Sequence, residues 1–450
     1  MLFFGWHVSR LKDGEKAQRL KAAVKLANSK NVRAVEPLLR TYLHDDPSVS
    51  EVAAAGLVNI GPPAVERLLA TLHDTSERQR HKVMPILGAI GDKRAVAPLI
   101  KLLDECNEYD APACGAAEAL GELGDSMAVE PLIALVAKRT KANSIPGVAA
   151  QALGRIGDPR AIRPLLDLLA SDIKNPRSRR LAVSALGSFN HPDAIAALVA
   201  SLGNWDSDVR GAAEEALKQL GPAAVDALID AMAKPDPPSR VVALLREMKD
   251  ARAVPAVHAA LTHTKSFKER MALVETLTAL GWKPASESDR MLQLVFGRFF
   301  GSIGESKETL DRKIVASGAA IVPPLLEALG ELSSTPNPCV AVAHLLGEIG
   351  DERAVAPLAQ QLNAYYQYTR VGVVPALARF GSKAVEPLLA RLSHQDADMR
   401  RAIAKALGGI GDARALEPLR ARLTDSFEGA REEAKQAIAR IEQRAGAGGA

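Results

Sequence analysis

Apolar residues recur at spacings of three and four along nearly the whole chain. In DVRGAAEEALKQLG, residues 208–221, the residues Val209, Ala212, Ala213, Ala216, Leu217 and Leu220 fall on one face of a helix. In GDPRAIRPLL, 157–166, and the residues after it, Leu165, Leu168 and Leu169 form a second stripe of the same kind. No run alternates with period two, so no sheet is expected. Leu-Gly-x-Ile-Gly endings recur on the first helices, as in LGRIG at 153–157 and LGEIG at 346–350. The last glycine suits a left-handed cap, and the earlier one leaves room for a neighbouring helix to approach. Asp158 is placed to cap the second helix, and Pro164 sits near that helix's first turn, where a missing N–H is harmless.

The joint between the two stripes repeats almost letter for letter. GDKRAVAPLI begins at 91, GDSMAVEPLI at 124, GDERAVAPLA at 350 and GDARALEPLR at 411. Taking the apolar residue of the Ala-Val pair as an anchor gives Val35, Val65, Val96, Val129, Ile162, Ile195, Val225, Val254, Val322, Val355, Val385 and Leu416. Neighbouring anchors lie 29 to 33 residues apart, except for one gap of 68 between Val254 and Val322. That gap has room for one divergent unit within 255–321. The count is then about thirteen helix pairs and a final helix. One pair cannot bury its own apolar face; a stack can, each copy serving as the floor for the next.

GDKRAVAPLI, GDPRAIRPLL and DVRGAAEEALKQLG resemble the short prokaryotic HEAT repeats, also called phycobilisome-lyase HEAT-like repeats. The resemblance runs over about 14–255 and 319–440, and LGWKPASESDR at 280–290 is similar to a divergent unit seen in such proteins. It implies an all-α fold, a right-handed α-α superhelix of about 13 helical pairs, and a role in binding other macromolecules. The expected organisation is an N-terminal plug at 1–13, repeats over 14–261, a divergent repeat or insertion at 262–318, repeats over 319–443 and a flexible tail at 444–450.

Composition narrows the function classes. The chain is 47% hydrophobic and only 4% aromatic, so its core must be aliphatic. Its net charge of +4 is too mild to demand a polyanion. Three cysteines, Cys106, Cys114 and Cys339, build neither a disulfide framework nor a four-thiolate metal site; they read as small core residues in a cytoplasmic protein. The apolar start MLFFGW is too short for a signal-peptide core, and Arg298 interrupts the next apolar run, MLQLVFGRFFGSIG, so no transmembrane segment is expected.

Two charged columns repeat with the fold. Arg80, Arg179, Arg210, Arg270, Arg370, Arg400 and Arg431 stand at one register of the first helices. The turn aspartates Asp92, Asp125, Asp158, Asp351 and Asp412 share their period. Asp–Arg hydrogen bonds stacked between repeats, as in similar HEAT proteins, account for both, and this structural reading outweighs a nucleic-acid track. Glu36, Glu66, Glu130, Asp226, Glu386 and Glu417 follow the anchors, with Arg163 the odd member. They would form an acidic groove if second helices lined the concave face. Favourable placement in a helix first turn explains them better.

Two candidate binding surfaces remain. Residues 138–180 hold ten bases against three acids, a net of +7. Lys138, Arg139, Lys141, Lys174, Arg177 and Arg180 would form a basic rim there, with Trp205 in the equivalent loop one repeat on. The other surface is NAYYQYTR, 363–370, where Tyr365, Tyr366 and Tyr368 are frequent types of binding anchor. Catalytic, metal-binding and cofactor residues are not assigned: the chain has no HExxH, GxxxxGK[ST] or GxSxG. Deoxyhypusine hydroxylase, a HEAT-like enzyme, holds two irons on His-Glu pairs, and no histidine here precedes a glutamate. The expected function is a non-catalytic scaffold or adaptor for another protein. Nucleic-acid or phosphate binding through the basic rim ranks second, and an accessory lyase or isomerase resembling the bilin lyases third.

Overall fold

The computed structural model describes residues 2–74, 77–105, 111–137, 144–170, 175–233, 239–301 and 303–447. Among these residues the chain forms 28 α-helices, many of them joined by 3-10 turns, and no strand. Between a first helix, Leu2–Asp13, and a last, Glu428–Ala447, stand thirteen pairs, as the anchor spacing predicts. The chain divides into two compact units, Met1–Met248 and Lys249–Ala450.

One pair shows why the joint has its sequence. Helix Ile145–Ile156 ends at Gly157, whose φ of 74° is left-handed and whose N–H donates to the Leu153 carbonyl at 3.0 Å. Asp158 then accepts from the Arg160 N–H at 3.0 Å and so caps a 3-10 turn, Pro159–Ala161, which runs directly into helix Ile162–Ala170. The cap thus belongs to the turn, one step before the helix it was expected to start. Ala161 is fully buried because any larger residue there would push the turn off the stack. Leu153 and Leu165 fill the space between the two helices.

The two helices of each pair lie in different layers. In the first unit the longer helices Ala111–Leu123, Ile145–Ile156 and Pro176–Leu186 pack flank to flank, while the shorter helices between them meet their like at few points. Glycine makes the close spacing possible. A Cβ on Gly121 would stand 2.8 Å from the Ala152 Cα, and one on Gly154 would stand 2.7 Å from the Ala185 Cα. In the second unit Pro336–Ile349, Gln367–Ala378, Ala397–Ile410 and Glu428–Ala447 pack the same way, and a Cβ on Gly408 would stand 2.6 Å from the Ala437 Cα. A stack whose layers are spaced unequally bends toward the tighter one. The longer helices are therefore the inner, concave layer of each unit, and the shorter helices the outer layer.

The long anchor gap does contain an extra pair, Phe267–Ala279 and Glu287–Phe299, ahead of the helix Lys307–Ala316 that pairs with the Val322 helix. Its outer helix, Glu287–Phe299, is tied to the preceding outer helix, Val254–His263, by His258 Nε2 at 3.1 Å from Asp289 Oδ2, and the Trp282 ring lies tilted at 40° to the His258 ring with 5.6 Å between their centres. At the other end of the chain, helix Leu2–Asp13 packs on Lys16–Asn28, and Arg10 covers the exposed Trp6 at 4.5 Å. Cys339 is buried, which pushes its thiol up to about 11, and Cys114 is half-buried and also raised, by burial and then by Glu118. Cys106 lies outside the described residues. Among the described residues no single helix is long and apolar enough to cross a membrane.

Candidate functional site

The repeated charges are mostly consumed by the scaffold, though with different partners from those expected. The ladder arginines do not reach the turn aspartates. Arg210 donates from Nη1 to the carbonyls of Asn204 and Trp205 at 2.8 and 2.9 Å, and Arg370 does the same to Ala364 and Tyr365 at 2.8 and 2.7 Å. Arg400 clamps the carbonyls of His394 and Gln395 and also pairs with the next loop's Asp425 through two hydrogen bonds of 2.7 Å. The turn aspartates hold the arginine two residues on instead: Asp158 with Arg160, Asp351 with Arg353, Asp412 with Arg414. The reason is geometric. The ladder sits at the start of the inner helix and the turn aspartate beyond its end, a helix length away.

The acidic column is on the outer layer and so lines no concave groove. Glu66 accepts from Arg94 at 2.8 Å, Glu130 from Arg160 at 3.0 Å and Glu386 from Arg414 at 3.2 Å, each arginine belonging to the following repeat. Arg163 pairs instead with Asp167 at 3.0 Å. In these copies the arginine reaches back from its own Asp cap to the previous repeat's glutamate, while Arg353, with no glutamate there, donates to the Ala319 carbonyl at 2.7 Å. Such ion pairs are exposed, screened by solvent and worth little singly, but each ties one repeat to the next.

Of the expected basic rim, Lys138, Arg139, Lys141 and Lys174 lie outside the described residues. Arg177 is exposed and Arg180 half-buried, both near the start of the inner helix Pro176–Leu186. Trp205 is 74% exposed in the turn before the next inner helix. Tyr365 is 89% exposed, and its ring meets Tyr366 edge-on at 5.2 Å. Trp205 and Tyr365 occupy the same place, five residues before Arg210 and Arg370, whose clamp on their carbonyls holds each turn rigid. Tyr368 departs from the other two tyrosines: it turns toward a groove that sequence patterning did not single out.

This groove, about 980 Å³, runs along the inner layer of the second unit across Pro336–Ile349, Gln367–Ala378 and Ala397–Ile410. Val340, Val371, Pro375, Ala378, Ala402 and Ala406 supply its apolar floor. Tyr368, His344, Arg379, Arg401 and Lys405 stand among the lining residues, with Asp398 as the acid. Pro375 lies within its helix and has no N–H, so the Val371 carbonyl in the same wall lacks its usual donor four residues on. Asp398 already accepts from Gln367 Nε2 at 3.1 Å. Among the described residues no group of three or more His, Cys, Asp or Glu could hold a metal ion.

The family profile described as HEAT repeats matches residues 37–112, 108–177, 173–244 and 355–439. The chain belongs to the HEAT-repeat family. A curated relative, the phycocyanobilin lyase subunit beta of Nostoc sp., is 33% identical over 81 residues, 18% of this chain and 40% of that protein. The chain thus matches well under two thirds of that relative's length. Among solved structures, the complex of CpcE and CpcF of phycocyanin lyase from Nostoc sp. is similar over 47% of this chain and 86% of that one, at 24% identity and a TM-score of 0.32. Yeast importin-β (Kap95p) is similar over 98% of this chain and 79% of its own, at 13% identity and a TM-score of 0.41.

In HEAT terms the groove sits where repeats differ most freely, on solvent-facing positions of the inner helices. The signal was present in the sequence. At the register that holds Lys405 in one repeat, the neighbouring copy holds Pro375, while Glu215 and Glu118 hold it in the first unit. Recognising that register as concave required knowing which layer is the tight one.

Proposed function

We propose that this chain is a non-catalytic scaffold that grips another protein through the inner layer of its second unit. The observation that carries this reading is the groove itself: an apolar floor of Val371, Pro375 and Ala402 beside the 58%-exposed Tyr368, open on a concave face. Exposed apolar surface flanked by polar residues marks a docking site, and a tyrosine gives contact area with little entropy to lose. A photo-crosslinker at position 368 should capture a partner from native lysate, while the same probe at Glu118, on the first unit's inner helices, should not. Equal capture from both positions would count against the groove.

A second reading rests on Arg177, in the most basic stretch of the chain, and on Trp205 one repeat on, both exposed at the starts of neighbouring inner helices. It takes the first unit's edge as a site for phosphate or nucleic acid. Affinity for a single-stranded oligonucleotide that falls steeply with salt, and is lost in Lys138→Glu/Arg139→Glu/Arg177→Glu/Arg180→Glu, would support it. The likeness to a phycocyanobilin lyase subunit supports an accessory lyase role; a shift in the absorption spectrum of an added bilin is the readout for that class.

A further inference from the structure

We infer that the groove of the second unit receives an acidic, amphipathic segment of the partner protein; this rests on the scaffold reading above and adds the chemistry of what is gripped. Charge fixes the class. Arg401 and Lys405 are four residues apart on one exposed face of helix Ala397–Ile410, and Arg379 stands across the floor from them. Arg379 has a counter-ion, Glu348 at 3.4 Å, whereas Arg401 and Lys405 have no ion pair among the described residues. Asp398 keeps its charge while accepting from the neutral Gln367 amide, but Arg401 and Lys405 together outweigh it, so the groove offers net positive charge beside an apolar strip. Arg444 adds to that side, donating to the Gly409 carbonyl at 2.6 Å next to Lys405's helix face.

The dimensions fix the length. Three inner helices at about 8–10 Å spacing present a floor roughly 20 Å long. A helical occupant would cross it in about 13 residues, an extended one in about 6. Either would lay apolar side chains on Val371, Pro375 and Ala402 and carboxylates toward Arg401 and Lys405. An extended occupant would also bring backbone N–H groups within reach of the Val371 carbonyl that Pro375 leaves without a helical donor. Like charge at the rim rejects the wrong partner as effectively as opposite charge attracts the right one.

The test uses the full chain and three fluorescent 14-residue peptides: a Leu/Phe stripe flanked by glutamates, the same stripe flanked by lysines, and a glutamate-rich peptide without the stripe. Anisotropy should rank the acidic amphipathic peptide first by about tenfold or more over the other two, with the advantage shrinking at high salt. Arg401→Glu/Lys405→Glu should remove that advantage or reverse it. If the acidic and basic amphipathic peptides bind equally and the charge reversal changes neither, the acidic assignment falls. Ala402→Phe, which fills the floor, separates that outcome from failure of the site: it should weaken both amphipathic peptides alike. If no peptide binds, or if Ala402→Phe leaves binding untouched, the groove itself is not the docking site.

Discussion

Exposed positions of the inner helices include Glu51, Glu118, Glu122 and Glu215 in the first unit, whereas in the second unit Pro375, Arg401 and Lys405 are exposed beside the half-buried Val371. Beneath these surfaces the construction is alike. Gly154 lets Ala185 approach as Gly408 lets Ala437, and Gly157 and Gly411 end their helices at φ 74° and 81°. Each repeat in a solenoid contacts only its neighbours, so the solvent-facing positions can change sign and polarity while the packing stays fixed. One scaffold can therefore carry glutamate at a register of one unit where the other builds an apolar, basic groove.

The largest expected difference is between two arginine clamps, Arg400 of the second unit and Arg210 of the first. Arg400 and Asp425 form a buried pair, the Asp425 side chain being only 2% exposed, and the Arg400 hydrogen bonds hold the Asp425 carboxyl down at about 2 from an ordinary 3.8. Arg400→Met removes the two short hydrogen bonds and leaves that buried carboxylate only the Phe427 N–H at 3.0 Å and Arg422 at 3.8 Å, at an expected loss of about 3 kcal/mol in urea unfolding. Arg210→Met in the first unit removes only bonds to two carbonyls and should cost about 1–2 kcal/mol. Equal losses would erase the distinction. The pH dependence has a definite direction. A carboxyl whose folded value lies below its unfolded one stabilises the fold while ionised, so the Asp425 contribution is full above about pH 4 and disappears as pH falls toward 2. In Arg400→Met that acid-dependent loss should be much smaller.

A smaller effect should be common to both units. Valine at Gly154 or Gly408 would place side-chain atoms within 2.7 Å of the facing backbone, and backbone yields less readily than a side-chain tip. Overpacking of this kind costs about 1–3 kcal/mol, and Val's helix preference over glycine returns only a few tenths. Thermal unfolding of the two variants should show similar losses. A loss confined to one unit would mean that the inner layers are not built alike.

Much of the fold was legible because the repeat states its own geometry. The anchors gave thirteen pairs, and the 68-residue gap gave the hidden pair Phe267–Ala279 and Glu287–Phe299. The partners of the charges were less legible, since period alone cannot say which end of a helix a residue occupies. Asp158 and Arg179 share a period yet sit at opposite ends of their inner helices. The groove escaped for a related reason. Gly121, Gly154, Gly347 and Gly408 already mark the tight layer, but which helix is concave depends on the spacing of two layers together. Tyr368 was found as a tyrosine in a cluster, not as the groove residue that separates it from Tyr365 and Tyr366.

The smallest stability effects should fall on the surfaces that distinguish the units most. Glu118→Lys and Glu215→Lys in the first unit, and Arg401→Glu and Lys405→Glu in the second, touch exposed positions outside the packed layers. Each should move unfolding free energy by no more than about 0.5 kcal/mol. Glu122 is a partial exception, since it lies 3.8 Å from Arg155 and its replacement removes a weak inter-repeat pair. Binding should separate what stability does not: only the second-unit pair should change affinity for an acidic amphipathic peptide. If Glu118→Lys/Glu215→Lys gains that affinity, charge alone recruits the peptide and the floor of Val371, Pro375 and Ala402 is dispensable. If it does not, the apolar floor and the basic rim act as one site, and the contrast between the two inner layers is the functional one.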